Sequence, residues 1–350
     1  MFILTQGDSN IMSKTILITG GAGFIGSNFV PYFCTRYPEY DIINIDKLTY
    51  AGNLDNLQEC RNMPNYRFVQ GDICDKDLIE KLFKQNDIQG VINFAAESHV
   101  DNSINKPEAF IYSNIVGTFT LLDTAFHYWM DAPNQIRPGY EDSRFHHIST
   151  DEVYGSLGME GFFTELTPYA PNNPYSASKA SSDFLVRAYN RTFGMNVTTS
   201  NCSNNYGPKQ HNEKLIPHII RQALTEQSVP VYGDGKNIRD WLYVMDHCKA
   251  IDLIFHKGKT GETYNIGNHN EIANIDIVKK ICAILDQKHP RKNGKKYEEL
   301  IKFVSDRNGH DFRYAIDASK LEKTLGWKAE ETFDTGIVKT VEWYLKNNVF

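Results

Sequence analysis

The sequence predicts an α/β fold: a doubly wound parallel sheet with helices on both faces, followed by a smaller C-terminal substrate-binding lobe. Three observations carry that expectation. Short apolar runs alternate with amphipathic stretches through the first 150 residues. The first and fourth runs are apolar almost throughout, as strands covered on both faces require. A glycine-rich turn joins the first run to the first amphipathic stretch.

Taken in order, residues 14–20 (KTILITG) read as the first strand, and 41–47, 67–72, 90–96 and 144–150 as the next four. Helical spacing fills 24–36, 75–86 and 108–130 between them. The last of these starts after Pro107 and sets Phe110, Asn114, Gly117, Leu121 and Leu122 at helical intervals. A further helix is expected from Pro174 to Phe193. Residues 196–208 then read as a strand leaving the sheet through a polar loop that ends in Gly207-Pro208. Beyond it come short elements with polar and aromatic loops. Residues 1–13 thus read as an N-terminal extension and 14–203 as the first domain, with segments near 245–270 returning to it. Residues 204–350 form mainly the second lobe.

Bulk properties narrow the function. With 41% hydrophobic and 23% charged residues, the 350-residue chain has the composition of a soluble globular protein. It holds no apolar run long enough to span a membrane, and its start lacks the pattern of a signal peptide. A net charge of −6 argues against nucleic acid or an anionic membrane as partner. The basic stretch 289–299 reads as a solvated loop. Cys34, Cys60, Cys74, Cys202, Cys248 and Cys282 show no paired spacing, and neither do the histidines. The expectation is free thiols in a reducing cytoplasm, with no disulfide framework and no metal site.

The motifs carry chemistry. Gly21, Gly23 and Gly26 fit G-x-G-x-x-G, with Gly20 before them, between a strand and a helix. Glycine there permits a tight turn and lets backbone approach a pyrophosphate at the helix N-terminus, the Rossmann arrangement. Asp46 closes the second strand, where an acid binds adenosine ribose hydroxyls. Lys47 and no arginine follows, so NAD is expected over NADP. Asp72 and Ile73 fall where an adenine would lie. Tyr175 and Lys179 stand four apart and so share a helix face. A phenol is a poor base, with a pKa near ~10. An adjacent ammonium and a cationic nicotinamide ring favour its phenolate, which then accepts a proton from an alcohol. Ser149, Thr150, Asp151 and Glu152 end the fifth strand: two adjacent carboxylates beside hydroxyls. Alone, these acids read as a solvated loop.

TGGAGFIG (19–26), AAESHVD (95–101), STDEVYG (149–155) and YSASK (175–179) resemble the ordered landmarks of the extended short-chain dehydrogenase/reductases. Within that family, NCSNNYGP (201–208), EKLIP (213–217), RDWLYV (239–244) and ETYNIG (262–267) are similar to the 4,6-dehydratases acting on dTDP-glucose. That likeness spans residues 14 to about 347. It implies bound NAD, dTDP-glucose as substrate, and a homodimer formed through helices 110–129 and 174–193. The product would be dTDP-4-keto-6-deoxyglucose, as in dTDP-rhamnose and other deoxysugar biosynthesis.

By resemblance, Tyr175 takes the C4 hydroxyl proton, with Thr150 and Lys179 assisting, as hydride passes to NAD. Glu152 removes the C5 proton, Asp151 protonates the departing C6 hydroxyl, and the hydride returns at C6. Cofactor positions carry over to Gly20, Gly23, Phe24, Ile25, Gly26, Asp46, Lys47, Leu48, Thr49, Asp72, Ile73, Phe94, Ala95, Ala96, Glu97, Ser98, Ser113, Tyr175, Lys179 and Asn205. Substrate positions carry over to Ser98, Thr150, Asn204, Lys214, Leu215, Pro230, Val231, Tyr232, Arg239, Asn274 and the run Asp306, Arg307, Asn308, Gly309 and His310. Asn308 stands where the family commonly has proline. Two other readings stay open. A nucleotide-sugar 4-epimerase shares the glycine turn and the Tyr–Lys pair but has no use for Asp151-Glu152. A non-catalytic NAD-binding relative would need neither Tyr175 nor Lys179.

Overall fold

The computed structural model describes residues 14–305 and 312–347. Seven strands form one parallel sheet: β1 (Thr15–Thr19), β2 (Asp41–Asp46), β3 (Tyr66–Gln70), β4 (Ile88–Asn93), β5 (Arg144–Thr150), β6 (Val197–Cys202) and β7 (Thr263–Ile266). Their order is β7-β6-β5-β4-β1-β2-β3, so the winding reverses between β1 and β4. Such a reversal opens a crevice at the C-terminal strand ends, where ligands of this architecture bind.

Every side chain of β1 is buried, because helices cover both faces. Ile16 and Ile18 pack with Phe29 and Phe33 of α1 (Phe24–Arg36) and with Ile251 and Ile254 of α5 (Val244–Lys257). Leu17 points the other way, into a core with α2 (Lys76–Asn86), α3 (Gly117–Trp129) and α4 (Pro174–Phe193). The alternation of side chains along a strand thus feeds two cores from one apolar run. Helix α4 has strong boundary chemistry. Asn173 and Ser176 form a capping box, Pro174 sits in the first turn, and Gly194 ends the helix at φ +71°.

Two segments differ from the expected elements. The helix expected at 108–130 comprises Pro107–Phe110, a π-helical stretch Ile111–Val116, and α3. Asn114 explains the wider turn. Its side chain is directed inward, where Nδ2 donates to the Glu97 carbonyl (3.0 Å) and to Ser178 Oγ (2.8 Å). The strand expected at 196–208 divides at Ser203, whose N–H turns to the Ile266 carbonyl. Before that residue the chain lies in the main sheet. After it, Asn204–Tyr206 pairs with Ile238–Tyr243 in a three-stranded sheet.

That smaller sheet belongs to a second core. Ile216 and Ile220 from helix Leu215–Leu224, Ile281 and Leu285 from Asn274–Lys288, and Ile337 and Val341 from Phe333–Asn347 meet there. β7 and α5 lie between these segments in sequence yet pack with the main sheet. All six cysteines are free thiols. No helix among the described residues is long and apolar enough to cross a membrane.

Gly20 is the tightest joint of the first turn. It has φ +71°, and a Cβ there would stand 2.6 Å from the Ala95 backbone nitrogen. Gly20→Ala therefore combines left-handed strain with a backbone clash between the ends of β1 and β4. It is expected to lower stability by about 2 kcal/mol, read as a drop in the urea midpoint.

Candidate active site

The crevice at the β1/β4 reversal is lined from one end by the glycine turn and from the other by the ends of β5, β6 and α4. The turn is built for close approach. A Cβ on Gly26 would lie 2.4 Å from the Gly20 carbonyl oxygen, so only glycine packs there. One on Gly23 would meet nothing nearer than 3.4 Å, which leaves open space in front of α1. No side chain caps that helix, and its first N–H groups face the crevice as an anion site.

Asp46 braces this turn as well as facing the crevice. Its Oδ2 accepts the Ala22 N–H (2.9 Å) and its Oδ1 the Leu48 N–H (2.8 Å). Carboxylate oxygens keep further lone pairs for ribose hydroxyls. Lys47 pairs with Asp72 at 2.7 Å, and this pairing holds the Asp72 carboxyl low against the opposing effect of burial. The cradle, the acid at the end of β2 and the lined path past Ile73 fit a dinucleotide.

The segment from Phe94 to Ser98 forms the floor. Ala95 N–H donates to Thr19 Oγ1 (3.1 Å), and Glu97 N–H donates to Asn114 Oδ1 (2.8 Å). The π-helical turn that aims Asn114 inward also places Ser113 on the crevice wall. Among the expected cofactor positions, Leu48 alone lies outside the lining.

At the other end, β5 finishes in Thr150 and the chain turns sharply through the short helix Asp151–Tyr154 to Gly155 at φ +90°. This turn separates the two carboxylates. Glu152 lines the crevice, while Asp151 is 2% exposed beside Thr150. Asp151 Oδ2 has no hydrogen-bond partner among the described residues. Burial, then the charges of Glu152 and Asp240, hold the Asp151 carboxyl well above the usual carboxylate range, against an opposing pull from Arg239. Thr150 Oγ1 lies 3.4 Å from Asp151 Oδ1 and accepts the Glu152 N–H at 3.3 Å.

Tyr175 and Lys179 follow on α4 and both line the crevice. Burial and then Glu152 push the Tyr175 phenol up, and a hydrogen bond from Thr150 pulls it down. Lys179 Nζ donates to the Ile148 carbonyl at 2.7 Å, and burial lowers its pKa to about 8.

Of the expected substrate positions, Ser98, Thr150, Asn204 and Lys214 line this crevice. Leu215 and Asn274 open helices of the second core. Pro230, Val231 and Tyr232 lie on strand Val229–Tyr232, paired in parallel with Ile301–Val304. The run Asp306 to His310 lies outside the described residues. Arg239 is buried, stacks 4.4 Å over the Tyr314 ring and donates to the Ile238 carbonyl. Gln210, His211 and Glu213 were not anticipated. They form a strap across the crevice with Lys214, which donates to the Ser98 carbonyl (3.1 Å). Glu213 stands 3.6 Å from His99 and 3.7 Å from His211. Lys209 anchors the strap at the Ser27 carbonyl, which Pro31, lacking an N–H, leaves without its helical donor.

Residues 17–340 match the family described as GDP-mannose 4,6 dehydratase. A dTDP-glucose 4,6-dehydratase of Xanthomonas campestris pv. campestris is 54% identical over 336 residues, covering 96% of this chain and 94% of that protein. The structure of a dTDP-glucose 4,6-dehydratase from Bacillus anthracis in complex with NAD superposes with a TM-score of 0.84 at 46% identity, over 96% of this chain and 98% of the other. One from Streptomyces venezuelae, also with NAD bound, gives 0.85 at 41% identity, over 95% and 98%.

The raised Asp151 carboxyl has a sign that can be checked. Unfolded, an aspartate titrates near ~3.9. Above that pH the folded state binds the extra proton, so stability falls as pH rises, by up to about 1.4 kcal/mol per unit, until the folded group ionises. Asp151→Asn removes this penalty. Its urea midpoint should match the parent well below pH ~4 and exceed it increasingly at higher pH.

Proposed function

The chain belongs to the nucleotide-sugar 4,6-dehydratase family, and from that premise we propose that it converts dTDP-glucose to dTDP-4-keto-6-deoxyglucose with NAD. The observation that carries this reading is the separation of Asp151 from Glu152. Two adjacent carboxyl groups stand in different environments, one buried with its pKa held well above the usual carboxylate range, the other facing the crevice. That is how a site keeps an acid and a base side by side at neutral pH.

NAD bound in the crevice supplies the acceptor for the C4 hydride and the same hydride for C6. The chain's residues move the protons. Tyr175, hydrogen-bonded with Thr150, takes the proton of the C4 hydroxyl, and Thr150 holds the C4 oxygen. The ketone so formed makes the C5 hydrogen acidic. Glu152 removes that proton, and Asp151 gives its own to the C6 hydroxyl, which leaves as water. An epimerase has no elimination to catalyse and no use for Asp151. The cofactor emerges unchanged, so a strap over the crevice serves retention better than exchange. Free thiols suit a reducing cytoplasm.

A homodimer is part of this proposal. Ile111, Tyr112 and Phe119 are exposed beside the exposed Phe184 of the neighbouring α4. An apolar face of this kind, with helices on one side, suits a second copy of the chain. Phe119→Asp should convert a dimer to monomers in sedimentation velocity. A parent that sediments as a monomer defeats this part.

Purified protein incubated with dTDP-glucose should yield a product lighter by one water, with the alkaline absorbance of a 4-keto sugar. UDP-glucose and CDP-glucose serve as competitors. A C4 epimer, or recovery of all three sugars unchanged, rejects the reading. Glu152→Gln should accumulate NADH absorbance on adding substrate yet lose product formation by about 10²-fold or more.

A further inference from the structure

Lys179 is 4% exposed, and a lone ammonium at such a site would give up its proton. The Ile148 carbonyl is a dipole, not a charge. The compensating charge lies one turn further along α4. Tyr175, Lys179 and Asp183 recur every fourth residue and so follow one another on one helix face.

Asp183 is 5% exposed, with three groups around its carboxylate. Its Oδ2 accepts from the hydroxyls of Ser149 (2.8 Å) and Tyr169 (2.9 Å), and its Oδ1 stands 3.3 Å from His147 Nε2. The same His147 nitrogen is 3.4 Å from Lys179 Nζ, so the imidazole lies between the carboxylate and the ammonium. Tyr169 is held in turn by Asn201, whose amide donates to it and to Tyr154. None of these groups touches the open crevice except Lys179 and Ser149.

We propose that Asp183 is a positioning residue for the C4 proton transfer: held by Ser149, Tyr169 and His147, its carboxylate is the buried counter-charge that keeps Lys179 cationic behind Tyr175. This rests on the reading of Tyr175 as the group that takes the C4 hydroxyl proton. A cation there favours the phenolate, so the carboxylate acts on Tyr175 through Lys179.

The pH profile separates this role from simple packing. Lys179 faces Asp183 on α4, His147 on β5 and Cys202 on β6, and Tyr175 on the same helix face meets Thr150, Asp151 and Glu152. Near pH 8, His147 is neutral, its pKa lowered to about 4, and Cys202 remains a thiol, its pKa raised to about 12. Asp151 and Tyr175 are held up by burial.

Lys179, at about 8, is the group that loses charge across the alkaline limb. In Asp183→Asn, the alkaline limb of kcat/KM for NADH formation should move acidwards by about one unit. The loss would be about fivefold at pH 8, approaching tenfold at higher pH, and small at pH 6. Tyr169→Phe keeps the carboxylate and should leave the limb in place. Equal loss at every pH, with an unmoved limb, overturns the proposal.

A second measurement does not depend on activity. In a Lys179→Met background Asp183 is an uncompensated buried charge, so adding Asp183→Asn should raise the urea midpoint; an unchanged or lower midpoint overturns the pairing. If the parent makes no NADH from dTDP-glucose, the functional reading fails, and this stability comparison still decides the counter-charge.

Discussion

Desolvation of charge at the end of β5 is the constraint on which the site depends. A carboxyl removed from water beside other carboxylates is held towards its neutral form, and Asp151 is in that position because the chain buries it, next to Glu152, in the residue after Thr150. Glu152, one residue on, is turned towards the crevice. Had both acids faced solvent they would have been two bases. Had both been buried, the crevice would have held none. The Asp151–Tyr154 turn, closed by a glycine at positive φ, is therefore the local structure that puts the two acids of one dipeptide in different environments.

The second core takes part in this division. Arg239 and Asp240 sit on Ile238–Tyr243, which pairs with Asn204–Tyr206 and not with the main sheet. They act on Asp151 in opposite directions, Asp240 raising its pKa and Arg239 lowering it. Asp240 is itself fixed by the N–H groups of Asn268 and Asn270. The protonation of Asp151 thus depends on contacts from two cores that meet at Ser203, where the chain passes from one sheet to the other.

Much of this was legible in the sequence, and the reason is local chemistry. Gly20 and Gly26 had to be glycines, Asp46 had to close a strand, and Tyr175 and Lys179 had to share a helix face. Such requirements leave marks at fixed spacing. The parallel sheet was legible for the same reason, since β1 and β4 are apolar on both faces. Asp183 left no such mark. A carboxylate eight residues after a tyrosine on a helix reads as a solvated charge until His147, Ser149 and Tyr169 are seen to surround it, and those come from a strand and a loop. The π-helical turn at Ile111–Val116 was hidden likewise, because Asn114 widens it through contacts with Glu97 and Ser178 that are distant in sequence. The strap residues Gln210, His211 and Glu213 sit in a polar stretch whose composition is that of any loop.

The fold by itself does not choose the reaction. A glycine turn, an acid at the end of β2 and a Tyr–Lys pair equip a site to oxidise an alcohol and to hold the cofactor, and an epimerase needs no more. What distinguishes a dehydratase is a proton donor at neutral pH beside a base, and neither a sheet nor a helix dipole supplies one. Burial beside other carboxylates does, and burial of so many polar groups is destabilising unless each has a partner. Asp183 meets that condition on Oδ2 with two hydroxyls but not on Oδ1 among the described residues. Asp151 is left without one on Oδ2 among the described residues. Burial and the neighbouring carboxylates of Glu152 and Asp240 dominate at Asp151, whereas Asp183 has the Lys179 ammonium one turn away on α4.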